Sequence, residues 1–173
     1  FGPTCGYILD ELKKAKIKIE EITDIFFTHL HPDHVGGAIS KDGNPIFPNA
    51  SVKVLSKEID FWNSDNFEEI EVNGKDFADL AKSVLTAYED KVISLGSDDE
   101  IIKNVHVVDL PGHTPGHAGF RVDDGNNNFL HLGDILHTPN LQLADPKISL
   151  VFDIDSDQGL KTRTRLFDMV SND

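Results

Sequence analysis

Residues 28–37 read THLHPDHVGG and place three histidines and one aspartate within six positions. The apolar run Ile25-Phe26-Phe27 comes directly before them, which predicts a buried strand whose end carries these side chains into a loop. In an extended segment His29 and His31 point to the same side, so their ring nitrogens can converge on one ion. A chance cluster of polar loop residues is the alternative, but histidines that crowd in this way are typical of a metal or catalytic site. The stretch therefore predicts a metal centre.

The pattern His-x-His-x-Asp-His after an apolar strand resembles the signature of the metallo-β-lactamase superfamily. That family takes one further histidine from a loop and one aspartate from the end of a strand. This chain has His113 at the start of the motif HTPGH, and it has Asp134 directly after Leu132 and Gly133.

By this resemblance the ligands fall into two sets that share one carboxylate. The first metal is implied to bind His29, His31 and His113, the second to bind Asp33 and His34, and Asp134 to bridge the two. Asp33 and Asp134 are implied to be catalytic as well, with Asp33 orienting the nucleophile and moving its proton. The family adds a last histidine after the final helix, and whether it lies beyond Asp173 or is absent stays open. Imidazole and carboxylate ligands without thiolate favour zinc, with manganese, cobalt or iron as alternatives.

His113 and His117 are four residues apart, which is the spacing of a zinc-binding pair on a helix. Pro115 and Gly116 lie between them and exclude that helix. We therefore expect His117 to pack or to form hydrogen bonds behind the ligands.

The order of predicted elements favours a layered α/β fold. We predict helices over residues 7–17, 56–62, 76–94 and from Ser156 onwards, with Ser56 and Ser156 as caps. We predict strands over residues 22–28, 51–55, 105–109, 118–122 and 128–133. The resemblance implies a four-layer α/β/β/α sandwich. The chain begins without methionine and without the strands that precede the first motif in the family, so residues 1–173 are expected to be one domain truncated at both ends.

The chain carries 30 acidic and 16 basic residues, for a net charge of −14. Such a surface repels nucleic acid and anionic membranes, and no apolar run reaches membrane-spanning length. We therefore expect a small-molecule substrate and neither nucleic acid nor membrane as a partner, and relatives suggest a possible homodimer. The single cysteine, Cys5, excludes an internal disulfide and leaves the compartment open.

Segments outside the ligands are similar to the methyl parathion hydrolase group, which is close to a set of N-acyl homoserine lactonases. These segments are Phe1–Thr4, Phe47–Ala50, Asp60–Trp62, His113–His117 and Gln142–Pro146. Aromatic side chains line the leaving-group pocket of that group, which implies pocket positions at Phe1, Trp62 and Phe77. His137, which follows the bridging aspartate by three residues, is a further pocket candidate. Trp62 suits a core anchor equally well.

The resemblance implies hydrolysis of a neutral ester, lactone or phosphotriester by a hydroxide that bridges two metal ions. One alternative is a thioesterase of the glyoxalase II kind, whose anionic substrate would need a basic pocket that the charge of −14 does not indicate. Another alternative is a non-catalytic metal-binding domain. Such a domain should have lost ligands, whereas every ligand position up to Asp134 is intact.

Overall fold

The computed structural model describes residues 6–64, 67, 70, 74–126 and 128–171, and their strands form two sheets. The first sheet contains the parallel strands β1 (Asp24–Phe26), β2 (Ser51–Leu55) and β3 (Val92–Leu95), with β2 in the centre. The second sheet contains the antiparallel strands β4 (Glu100–Ile102), β5 (Val105–Asp109), β6 (Ala118–Asp123) and β7 (Asn128–His131), in chain order.

The helices of the described residues are α1 (Ile8–Lys14), α2 (Pro32–Val35), α3 (Ser56–Asn63), α4 (Gly74–Ala87), α5 (Pro139–Gln142) and α6 (Ser156–Ser171). Short 3₁₀ turns cover Ile19–Glu21, Gly36–Ala38, Glu89–Lys91 and Gly133–Ile135. α4 buries Ala78, Ala81, Val84 and Leu85, which recur at the helical period and so share one face. Among the described residues no helix combines the length and the apolar character that spanning a bilayer requires.

The two sheets pack face to face between two layers of helices. Side chains alternate along β2, so that Val52 and Val54 pack against the helical layer, whereas Leu55 packs against the second sheet. The opposite face of the second sheet packs on α6, where Leu110 contacts the cluster that contains Leu166. This is the four-layer α/β/β/α arrangement that the family resemblance implies.

The predicted bounds of β2 and β5 are confirmed, and the hairpin of β6 and β7 is present. The predicted helix over residues 76–94 is wrong at its end, because α4 stops at Ala87 and residues 92–95 form β3. Val92 and Ile93 are β-branched, and pairing with β2 lets Val92 pack into the core. No glycine or proline separates the two elements, so the sequence carries no stop signal there.

The two predicted serine caps are also wrong. α3 begins after Leu55 without a side-chain cap. At the start of α6 the carboxylate of Asp155, rather than Ser156, accepts a hydrogen bond from the backbone N–H of Gln158 over 2.8 Å. An aspartate directly before a serine makes both residues plausible caps, and the carboxylate is the stronger acceptor.

Candidate metal centre

Three loops at one edge of the sheets carry four of the predicted ligands, and α2 carries Asp33 and His34. Residues 27–31 follow β1, residues 110–117 join β5 to β6, and the turn Gly133–Ile135 follows β7. β5 and β7 are both antiparallel to β6, so they end at the same edge. The backbone N–H of Ala118 donates to the carbonyl oxygen of Thr28 over 2.8 Å, which joins this edge to the end of β1. The fold therefore brings distant histidines together.

His29, His31 and His113 form a buried cluster whose facing nitrogen atoms all lie within 4.8 Å of one another. Nδ1 of His31 lies 2.9 Å from Nε2 of His113. The His29 ring centroid lies 4.6 Å from that of His31 and 4.7 Å from that of His113. Two nitrogen ligands of one tetrahedral zinc ion, each about 2.0–2.1 Å from it, lie about 3.3 Å apart. The cluster therefore has the dimensions of a metal site.

A second cluster joins His34 and Asp134 to His29. Oδ2 of Asp134 lies 3.2 Å from Nε2 of His34 and 3.8 Å from Nε2 of His113, so one carboxylate oxygen stands between the two clusters. Asp33 is placed differently: its Oδ2 lies 3.7 Å from Nε2 of His34, and its side chain is 43% exposed. It belongs to neither close group, and its role as a ligand of the second metal stays a prediction.

Burial keeps the central imidazoles neutral. The pKa of His31 falls to about 3, because burial and, to a smaller extent, the neighbouring imidazoles disfavour its charged form. The pKa of His29 is lowered well below its ordinary value for the same reasons. Burial also lowers the pKa of His34, but the hydrogen bond to Asp134 and the charge of that carboxylate outweigh it, so the net shift is upward. Burial raises the pKa of Asp134, and hydrogen bonds from two imidazoles outweigh that effect and lower it. Metals bind neutral imidazoles and ionised carboxylates, which are the forms that the shifts of His29, His31 and Asp134 favour. The upward shift of His34 favours its charged form in the metal-free protein.

His117 positions the turn that carries Asp134. Its Nδ1 donates to the carbonyl oxygen of Leu110 over 2.8 Å, and its Nε2 accepts from the backbone N–H of Asp134 over 2.9 Å. Gly133 has a φ of +54°, and a Cβ there would lie 2.6 Å from Nε2 of His117. The expectation that His117 packs or forms hydrogen bonds is confirmed.

A buried ion pair orients His113. Its Nδ1 donates to Oδ1 of Asp153 over 3.0 Å, and Oδ2 of the same carboxylate lies 3.4 Å from Nη1 of Arg163. Burial raises the pKa of Asp153, but the hydrogen bond from His113 and the charge of Arg163 outweigh it, so the pKa is lowered. An ionised Asp153 keeps the proton on Nδ1 of His113, which leaves a lone pair on Nε2 facing His31.

Of the four residues predicted to line a substrate pocket, the three that the structure describes lie in different surroundings. Phe1 lies outside the described residues. Trp62 is fully buried, its Nε1 donates to Glu58 over 2.7 Å, and its ring lies 5.6 Å from that of His31, which favours the core anchor over the pocket wall. The Phe77 ring lies 5.3 Å from that of His31, and Nε2 of His137 lies 3.3 Å from Oδ2 of Asp134. Both border the site, and their contact with substrate stays a prediction.

Sequence reasoning missed Asp153, Arg163 and Glu58, all of which support the histidine loops. Two of them carry a local signal. Glu58 and Trp62 are four residues apart on α3 and so share one face, and Arg163 stands three residues before the core residue Leu166 on α6. A charged side chain on the buried face of a helix is rarely unpaired.

A model of the metallo-beta-lactamase superfamily matches residues 2–173, and the chain belongs to this superfamily. An N-acyl homoserine lactonase of a Bacillus species is 28% identical over 116 residues, which are 67% of this chain and 39% of that relative. The chain spans 39% to 42% of the length of the curated relatives it matches.

Two of the solved structures that share the fold illustrate the similarity. AidC, a dizinc quorum-quenching lactonase solved in complex with a product, superposes with a TM-score of 0.85 at 27% identity over 96% of this chain and 60% of its own. The hydrolase AbOPH, described as a member of the beta lactamase superfamily, superposes with a TM-score of 0.84 at 34% identity over 96% of this chain and 59% of its own. The predicted family and fold are confirmed.

Proposed function

We propose that this chain carries the metal centre of a hydrolase that binds two divalent ions, zinc being most favoured, and cleaves a neutral ester, lactone or phosphotriester. The observation that carries the proposal is the buried cluster of His29, His31 and His113. Nδ1 of His31 and Nε2 of His113 face each other across 2.9 Å, a contact that needs a proton on one of the two nitrogens or a cation bound to both. Membership of the superfamily and the N-acyl homoserine lactonase relatives support the same conclusion.

The side chains of the site fit a divalent ion. Nε2 of His29 is buried and has no hydrogen-bond partner among the described residues, which is costly unless a ligand satisfies it. Its Nδ1 faces the hydroxyl oxygen of Thr28 at 3.1 Å, so a proton on Nδ1 leaves the lone pair on Nε2. The donor set is nitrogen and oxygen without sulfur, which suits zinc and also accepts manganese, cobalt or iron.

Divalent ions bound here would polarise the scissile carbonyl or phosphoryl group and lower the pKa of a shared water. Asp134 presents Oδ2 to both clusters and is proposed to set their separation. Asp33 is proposed to exchange a proton with solvent at its carboxylate, which its 43% exposure and its position beside His34 permit.

The charge of the chain favours an uncharged substrate. A net charge of −14 disfavours anionic substrates over neutral ones.

Replacement of either of two ligands tests the proposal. His31→Ala and Asp134→Ala should each reduce hydrolysis of a neutral lactone or phosphotriester by at least 10³-fold, because each removes a metal ligand and leaves its partners unpaired. His131→Ala is the matched control, since His131 is exposed on β7 and its ring stacks on Phe120 away from the site. Turnover near the wild-type rate in either ligand variant would refute the proposal. A folded wild-type protein that binds metal but hydrolyses no ester, thioester, lactone or triester would favour the metal-binding domain instead.

A further inference from the structure

Glu58 is a fully buried carboxylate beneath the two histidine loops. It lies in the first turn of α3, and four groups donate hydrogen bonds to it. Oε1 accepts from the backbone N–H of Leu30 over 2.9 Å and from Nε1 of Trp62 over 2.7 Å. Oε2 accepts from the hydroxyl of Thr114 over 2.6 Å and from the backbone N–H of Gly116 over 3.1 Å.

The two oxygens serve different loops. Leu30 stands between His29 and His31, so Oε1 holds the first loop at its centre. Thr114 directly follows His113, so Oε2 holds the second loop beside its ligand. One rigid carboxylate thus fixes the distance between the loops from below.

The packing around Glu58 leaves little room for another arrangement. A Cβ on Gly116 would lie 2.1 Å from the backbone nitrogen of Glu58, so the second loop lies directly against α3. The indole of Trp62, held by the same carboxylate, contacts the ring of His31 at a centroid distance of 5.6 Å. Glu58 therefore supports His31 through the indole of Trp62 and the His113 loop through Thr114 and Gly116.

We propose that Glu58 is a positioning residue that holds the His29–His31 loop and the His113 loop at metal-binding distance before an ion is bound. The proposal rests on the proposed function, because it assumes that these histidines are ligands. A preorganised site avoids the cost of ordering its ligands when the metal arrives. Loss of such support around metal ligands typically lowers metal affinity by about 10- to 100-fold.

Glu58→Gln tests the proposal on the intact protein. The amide keeps the shape of the side chain but replaces one acceptor oxygen with an NH₂ group, which then faces the donors of one loop. We expect zinc affinity, measured by competition with a chromophoric chelator after metal removal, to fall about 10- to 100-fold. Thr114→Val removes a single donor without changing shape, and we expect a smaller loss, about threefold to tenfold; it supplies the measurement if Glu58→Gln does not fold.

Tyr88→Phe is the matched control. The Tyr88 hydroxyl is also buried and also joins two segments, since it donates to the carbonyl oxygen of Ala38 over 2.8 Å and accepts from the backbone N–H of Phe47 over 3.2 Å. We expect this variant to lower the melting temperature and to leave zinc affinity within twofold of wild type. A merely structural Glu58 would behave in the same way.

The outcomes separate the two proposals. The positioning role is supported if wild-type protein binds zinc, Glu58→Gln or Thr114→Val binds it more weakly, and Tyr88→Phe binds it as wild type does. Equal zinc affinity in wild type and in folded Glu58 and Thr114 variants overturns the positioning role and leaves the proposed function standing. Folded wild-type protein that binds no zinc, manganese, cobalt or iron overturns the proposed function, and the positioning role with it.

Discussion

Asp153→Asn should weaken metal binding without removing any proposed ligand. The carboxylate lies between Nδ1 of His113 at 3.0 Å and Nη1 of Arg163 at 3.4 Å, and its side chain is 1% exposed. An asparagine of the same shape has one acceptor for these two donors. If its NH₂ group faces His113, the ring must move its proton to Nε2 and loses the lone pair that faces His31. If the NH₂ group faces Arg163, the guanidinium loses its carboxylate partner.

The expected loss follows from the kind of contact that is broken. Replacing the partner of a metal-binding histidine typically costs about 10- to 100-fold in metal affinity, which is about 1.4–2.7 kcal/mol at about 1.4 kcal/mol per tenfold. A lost charge-assisted hydrogen bond should also lower the stability of the metal-free protein by roughly 1.5–3 kcal/mol. For a chain of this size that corresponds to a fall in melting temperature of roughly 3–12 °C.

Chelator competition for zinc and thermal unfolding of the metal-free protein measure the two effects. Asp79→Asn is the matched control, because it makes the same change in charge at an exposed residue that pairs with Lys75 on α4. We expect the control to keep wild-type zinc affinity. Zinc affinity within twofold of wild type in a folded Asp153→Asn protein would refute the orienting role of this carboxylate.

Further predictions concern packing and pH. Gly116→Ala should destabilise the protein by about 3 kcal/mol or more, because the new Cβ would lie 2.1 Å from the backbone nitrogen of Glu58. Gly36→Ala is the control: its Cβ would meet only a methyl group of Leu80 at 3.9 Å, so it should change stability by less than about 1 kcal/mol. Urea unfolding of both variants decides this, and equal midpoints would contradict the packing argument. Burial lowers the pKa of His117 to about 3 from an ordinary value of 6.5, so between these values the unfolded chain binds a proton that the folded chain does not. Each such imidazole lowers the free energy of unfolding of the metal-free protein by about 1.4 kcal/mol per pH unit as the pH falls below about 6.5. The two other buried imidazoles with lowered pKa add to this effect, and His34, whose pKa is raised, opposes it. Urea midpoints that stay constant or rise from pH 7 to pH 5 would contradict these shifts.

Local patterns in the sequence predict much of the fold and the centre of the site. The strand β2 alternates polar and apolar residues from Ser51 to Val54, and its bounds are those predicted. Three histidines within residues 29–34 are enough to predict a metal site there, and the segment HTPGH identifies His113 as a further ligand through the family resemblance. β3 escaped prediction because Val92 and Ile93 continue the apolar pattern of α4 without a break, and only pairing with β2 makes them a strand.

The supports of the site could not be predicted because they depend on contacts far apart in the chain. Glu58 accepts hydrogen bonds from residues 28, 56 and 58 positions away. Asp153 lies 40 positions from His113, and backbone hydrogen bonds from Ile154 to His113 and from Asp155 to Gly112 join the two segments. A periodic pattern predicts which face of a helix or strand is buried, but it does not predict which polar group of another element contacts that face. A charged residue on a predicted buried face indicates that it has a polar partner, but the sequence does not identify that partner.

Metal content and hydrolysis measured on one sample of the intact protein test the central claim most directly. The account predicts two divalent ions per chain together with hydrolysis of a neutral lactone, ester or phosphotriester, with both lost on chelation and restored by zinc. Purified, folded protein that takes up no divalent ion and hydrolyses none of these substrates would contradict it.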